Sequence, residues 1–189
     1  LLFLKLLYKL AKINSFVSIP MRYIPAALLV VASSLPAIAV AGVSKLDEAY
    51  AQMEKDGDIP ALDRSASLAG PDKNGDGVRD DIEVWIDQSS LPEQVRERIK
   101  VYAAGLQWIQ SADTMTPEVA SDISASYMDN YVCLLMNPGD QAAAIEEMTD
   151  KIEAFTANTE ARAKRYIEYN AAQGGSVFSI PSQSECEKL

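Results

Sequence analysis

Residues 72–83 read Asp-Lys-Asn-Gly-Asp-Gly-Val-Arg-Asp-Asp-Ile-Glu. Oxygen-bearing side chains recur at alternate positions, Asp72, Asn74 and Asp76, and return at Asp80 and Glu83. A hard divalent cation such as Ca²⁺ takes about six to eight oxygens at roughly 2.3–2.6 Å, and a tight loop can aim alternate side chains at one centre. Gly77 stands where such a loop turns sharply, in a backbone conformation that a side chain would forbid. Val78 offers a backbone carbonyl, and Glu83, already on the following helix, can close the shell with two oxygens. The expected ligands are Asp72, Asn74, Asp76, Val78, Asp80 and Glu83, and the expected cofactor is Ca²⁺. Four carboxylate ligands in one loop repel one another without a cation, so folding of the loop and ion binding are expected to be coupled.

This segment resembles the EF-hand calcium loop, with Asp72 at position 1, Asn74 at 3, Asp76 at 5, Gly77 at 6, Val78 at 7, Asp80 at 9 and Glu83 at 12. The resemblance covers these dozen residues and the exit helix Ile82 to Gln88. Two departures stand out. Arg79 occupies position 8, where paired EF-hands carry an apolar residue that joins two loops through a short β-bridge. Gly70-Pro71 precedes the loop, so no entering helix is expected. The likeness is therefore to a solitary loop-helix, closer to dockerin-type or thrombospondin-type calcium repeats than to a paired sensor. The stretch from Asn74 to Glu83 also resembles segments of secreted bacterial helical proteins, a likeness that implies no activity. Without a helix pair to open, the ion is expected to act as a structural clamp.

Composition excludes much other chemistry. The 189 residues include no His, which removes a His general base, imidazole metal ligands and a Ser-His-Asp triad. Two Cys cannot form a Cys₄ zinc site. With 27 Asp and Glu against 17 Lys and Arg, the chain lacks the basic face of a nucleic-acid binder. Glu146 and Glu147 are adjacent on a helix and point different ways, unlike a glycosidase pair. Arg162, Arg165, Tyr166 and Tyr169 could bind a carbohydrate or an anion, but Arg and Tyr at a helix end more commonly form a solvated face. Trp85 and Trp108 have apolar neighbours at helical spacing and are expected in the core.

An address label precedes the elements that position the loop. From Met21 the chain runs Met-Arg-Tyr, an apolar stretch Ile24 to Leu35, and a small-residue end, the pattern of a secretory signal peptide over 21–41. Cleavage fits after Ala39 or after Ala41, the second being favoured. Pro25, Pro36 and many Ala make this a poor membrane anchor, which needs about 20 strongly apolar residues. Residues 1–20 carry Lys5, Lys9 and Lys12 on one helical face. They read as a basic amphipathic extension or, preferably, as sequence upstream of a start at Met21. Removing residues 1–41 takes four positive charges and leaves 13 Lys and Arg against 27 Asp and Glu, a net charge of −14. A periplasmic or secreted location makes Cys133 and Cys186 a disulfide, tying the C-terminal tail to a helix.

Residues 42–189 read as a single all-α domain, a bundle of about four to five helices. Ser44 can cap a helix to about Lys55, which Asp56-Gly57 stops. Ser90-Leu91-Pro92-Glu93 has the form of a capping box, opening a helix with the stripe Val95, Ile99, Tyr102, Leu106 and Ile109. Thr116-Pro117 opens the next, and Asn137-Pro138-Gly139-Asp140 breaks it. The last and longest is expected over Gln141–Ala172, with Ile145, Met148, Ile152, Phe155, Thr159, Arg162, Tyr166 and Tyr169 in a heptad stripe. An extended tail from Val177 then leads to Cys186. The functional expectation is an exported calcium-binding structural or binding module. Its partners would be the calcium ion and an unidentified envelope protein, with no nucleic acid and no stable membrane insertion once the leader is removed. The alternative is an exported carboxylate-dependent hydrolase with calcium as a structural ion.

Overall fold

Helices form where apolar residues recur at spacings of three and four, and irregular backbone forms where Gly, Pro and Asp interrupt that spacing. The structure is a computed structural model that describes residue 48, residues 50–136 and residues 139–188. The leader at 21–41, the extension at 1–20, the Ser44 cap and the Asn137-Pro138 break lie outside the described residues. Residues 50–56 are helical (α1). They are followed by α2 (Asp80–Asp87), α3 (Glu93–Ser111), α4 (Pro117–Met136), α5 (Ala142–Thr156), α6 (Glu160–Ala172) and α7 (Gln183–Cys186). A single 3₁₀ turn, Gly139–Gln141, leads into α5, and no strand occurs among the described residues. The all-α expectation holds, with the bundle built around α3, which packs against α2, α4, α5 and α6.

The centre is aliphatic: Ile99, Leu106 and Ile109 of α3, Ile123 of α4, and Ile145 and Ile152 of α5 are almost wholly buried. Gly105 lets α3 and α4 approach closely, since a Cβ there would overlap the ring of Tyr127. Tyr127 in turn meets Tyr102 edge-on, with ring centroids 5.6 Å apart. Cys133 and Cys186 are joined in a disulfide with Cα atoms 5.1 Å apart, which holds α7 against α4. No helix among the described residues is long and apolar enough to cross a membrane.

Four expectations are corrected. The long last helix is two helices, because Asn158 and Thr159 interrupt it. The Thr159 hydroxyl accepts from the Arg162 N–H at 3.3 Å and caps α6, while Asn158 turns inward and is buried. The Ser90 capping box is absent. Pro92 precedes the first helical residue with φ −55° and ψ 146°, so Ser90 lies too far back to reach the helix amides. A capping box does form at Ser182 and Glu185, opening α7. Trp108 is 42% exposed because it sits beside the stripe that ends at Ile109, whereas Trp85 packs edge-on to Phe155 with centroids 5.0 Å apart. Finally, Arg162 is fully buried, in keeping with its place in the heptad stripe and against the solvated-face reading.

That burial has a physical reason. Residues 59–71 lie against the bundle without regular structure, so their carbonyls need donors from elsewhere. Arg162 donates to the carbonyls of Asp63 (2.6 Å), Ser67 (2.9 Å) and Leu68 (3.0 Å), to Asn158 Oδ1 (2.8 Å) and to the Asp63 carboxylate. Gln107 of α3 donates to the Ala69 carbonyl. Gly70, at φ +70°, fits where a Cβ would come within 2.5 Å of the Arg79 side chain and 3.0 Å of Arg162 Nη2. Arg165 likewise serves the end of α3, donating to the carbonyls of Ile109 (3.1 Å) and Ala112.

Candidate functional site

The loop at 72–83 is built from side-chain-to-backbone bonds. The Asp72 carboxylate accepts from the N–H groups of Gly75 (2.8 Å) and Gly77 (3.0 Å). Asn74 Oδ1 accepts from the Asp76 N–H at 3.2 Å, and Asp76 Oδ1 from the Val78 N–H at 2.8 Å. These short Asp and Asn loops favour turns over helix. Gly75 and Gly77 take φ of 74° and 87°, so the sharp turn falls at Gly77 as the spacing predicts. The Asp80 N–H donates to the Pro71 carbonyl at 2.9 Å, and α2 starts there with no entering helix before the loop.

Position 8 of the loop is the anchor that sequence reasoning missed. Arg79 is fully buried and turns into the bundle. It donates to both oxygens of Asp81 (2.6 and 2.9 Å), to the Phe155 carbonyl (3.1 Å) and to Asn158 Oδ1 (3.3 Å). Asp81 Oδ2 also accepts from the Asp63 N–H at 2.7 Å. The α5–α6 junction, the segment 59–71 and the loop thus share one polar node. The arginine at a core position of the stripe, Arg162, was its one sequence signal.

The Asn74 side-chain amide gathers three carboxylate oxygens inside the loop by donating to them. Asp76 Oδ2 lies 2.9 Å from Asn74 Nδ2, and Glu83 Oε2 and Oε1 lie 3.1 and 3.3 Å from the same atom. Burial, then the facing Asp76 carboxylate, pushes the Glu83 carboxyl above its usual range. Asp80 goes the other way. The Lys73 N–H (3.0 Å) holds its carboxyl below the usual range, with the Lys73 ammonium (3.1 Å) adding to that. Of the six expected ligands, Asn74, Asp76 and Glu83 are brought together, the two carboxylates meeting at the Asn74 amide nitrogen. Asp72 faces loop amides, Asp80 faces Lys73, and the Val78 side chain is buried. Among the described residues no group of three or more Cys, Asp or Glu side chains is gathered into a ready-made ion cage. Lys100, reaching across from α3, lies 3.5 Å from Glu83 Oε1.

The donor set suits a hard cation. It consists of carboxylates, a side-chain amide and a carbonyl, with neither thiolate nor imidazole.

Elsewhere, Glu146 and Glu147 are both exposed on α5, and Glu147 pairs with Lys151 at 2.7 Å. Glu153 is half-buried, raised above its usual range by burial, and accepts from the Tyr166 hydroxyl at 2.7 Å. No protein family, curated protein or solved structure matches this chain.

Proposed function

We propose that this chain is an exported calcium-binding module in which one Ca²⁺ serves as a structural clamp on the loop 72–83. The observation that supports this best is that Asp76 Oδ2 and both Glu83 oxygens are drawn together around the donating Asn74 amide nitrogen, all within 3.3 Å of it, a role a cation would take over. Asp72, Asn74, Asp80 and the Val78 carbonyl complete the proposed ligand set. A divalent cation there would neutralise the Asp76–Glu83 repulsion and join the loop to α2. The irregular backbone of residues 59–71 directly before the loop, where an entering helix would lie, favours a clamp over a sensor that opens. Export is supported by the leader-like sequence at 21–41 and by the Cys133–Cys186 disulfide, a bond that persists in oxidising compartments.

The test is calorimetric titration with Ca²⁺, with thermal melting in calcium and in chelator, for the wild type, Asp76→Ala and Glu83→Gln. One ion is expected to bind in the range of extracellular modules, roughly 10⁻⁴–10⁻³ M. At 100 times the dissociation constant it adds about 2.7 kcal/mol to stability. Both variants lose that increment. A wild-type melting temperature indifferent to calcium would sink the clamp, and calcium-driven exposure of apolar surface to a dye would mark a sensor instead.

A further inference from the structure

Glu83 already has a cation beside it. Lys100 Nζ lies 3.5 Å from Glu83 Oε1, 2.9 Å from Asp87 Oδ1 and 3.3 Å from Glu97 Oε1. We propose that Lys100 regulates ion binding at the loop as a built-in competitor for Glu83, withdrawing onto Asp87 and Glu97 when a divalent cation is bound; this rests on the calcium reading above.

Three features carry it. Glu83 Oε1, the oxygen paired with Lys100, is also one of the three gathered at the Asn74 amide within the loop, so the lysine and a bound cation compete for one atom. Glu83 is also the most distant of the three partners, and the other two keep the ammonium paired when Glu83 turns away. Lysine is a mobile point charge with three donors, suited to such an exchange, whereas a planar guanidinium is held by its fork. The Lys100 side chain is only 17% exposed, so its pairs are partly shielded from solvent and salt. Lys73, beside Asp80, is 87% exposed, and its pair is a weak competitor. Because Lys100 belongs to α3, ion binding at the loop is linked to the central helix of the bundle.

The experiment is Ca²⁺ titration at constant ionic strength on the disulfide-intact wild type, Lys100→Met, Asp87→Asn, their double variant and Lys73→Met. Lys100→Met binds calcium about 3- to 10-fold tighter while melting lower in chelator. A residue with only a structural role would not show that opposition. Asp87→Asn removes the closest alternative partner, leaves Lys100 on Glu83, and weakens calcium about 2- to 5-fold. This weakening disappears when Lys100 is already Met, whereas a diffuse loss of negative charge would persist in the double variant. Lys73→Met changes affinity less than about twofold. Unchanged or weaker binding in Lys100→Met, or an undiminished Asp87→Asn effect in its background, overturns the competitor while leaving the calcium site standing. If Lys100→Met does not fold, the proposal stands or falls on Asp87→Asn, where unchanged or tighter binding refutes it. A wild type that takes up no calcium at about 10 mM, above the weak end of extracellular modules, overturns both.

Discussion

Arg162 is the residue whose loss the structure sizes most clearly. Its guanidinium has five acceptors and no solvent exposure. In Arg162→Met the volume is roughly kept, so the cost lies in the acceptors left behind. The Asp63 carbonyl retains the Asn158 amide at 3.0 Å, and Asn158 Oδ1 retains Arg79 at 3.3 Å. The Asp63 carboxylate retains the Ser65 hydroxyl at 2.9 Å. The carbonyls of Ser67 and Leu68 lose the donor that serves them, and each stranded acceptor costs about 1–3 kcal/mol. Stripping Asp63 of its buried ionic partner adds to this, while peeling of residues 64–70 toward water limits the total. The expected loss is about 3–5 kcal/mol, a large part of the roughly 5–15 kcal/mol that holds a domain of this kind. Arg162→Lys keeps the charge but cannot span the same acceptors, so it still loses at least about 2 kcal/mol. Urea denaturation in chelator measures both variants, and limited proteolysis is expected to cut first within 64–70. An Arg162→Met protein within about 1 kcal/mol of wild type would refute the reasoning. An Arg162→Lys protein indistinguishable from wild type would show that charge alone matters.

Two further outcomes follow from the same contacts. Burial tends to raise the Asp63 carboxyl, but hydrogen bonds from Arg162 and Ser65 outweigh that and hold it below its ordinary 3.8. The unfolded chain therefore binds the proton more readily. The stabilisation is fully present above the unfolded value and is lost as pH falls through the lower folded one. The stability gap between wild type and Asp63→Asn is expected to be constant near neutrality and to close below pH 3.8 in acid titrations followed by circular dichroism; a gap independent of pH would refute it. Replacing both Cys133 and Cys186 by Ser removes a cross-link between residues 53 positions apart, costing up to about 4 kcal/mol by restored unfolded-chain entropy. Hydrogen exchange is expected to rise first in residues 174–188, and an unchanged melting temperature would argue against that account.

Local and charge-independent features were legible in the sequence. The stripes through Ile99, Leu106 and Ile109, and through Ile145, Ile152 and Phe155, depend only on helical periodicity, and those residues are buried. The Gly77 turn follows from steric rules on a few consecutive residues, and it sits at φ 87°. The two cysteines left one intramolecular pairing, which the fold contains. The break at Asn158-Thr159 was hidden because Thr159 holds a core position of the heptad drawn over Gln141–Ala172, and spacing alone does not tell which polar residue caps and which packs.

What tertiary structure decided is where the long polar side chains go. Arg79 looks like a surface residue on sequence, and Arg162 an odd member of its apolar stripe, because a buried charge is costly unless its partners are assembled around it. Those partners come from Asp63, Asp81, Phe155 and Asn158, and only folding brings them to one place. Lys100 is another such case: 17 positions from Glu83 in the chain, it meets that carboxylate because α3 packs on α2. Periodicity determines which face of a helix is apolar, and local sterics determine where a loop turns. The pairing of distant charges depends on the distance between elements, a quantity that no stretch of the sequence contains by itself.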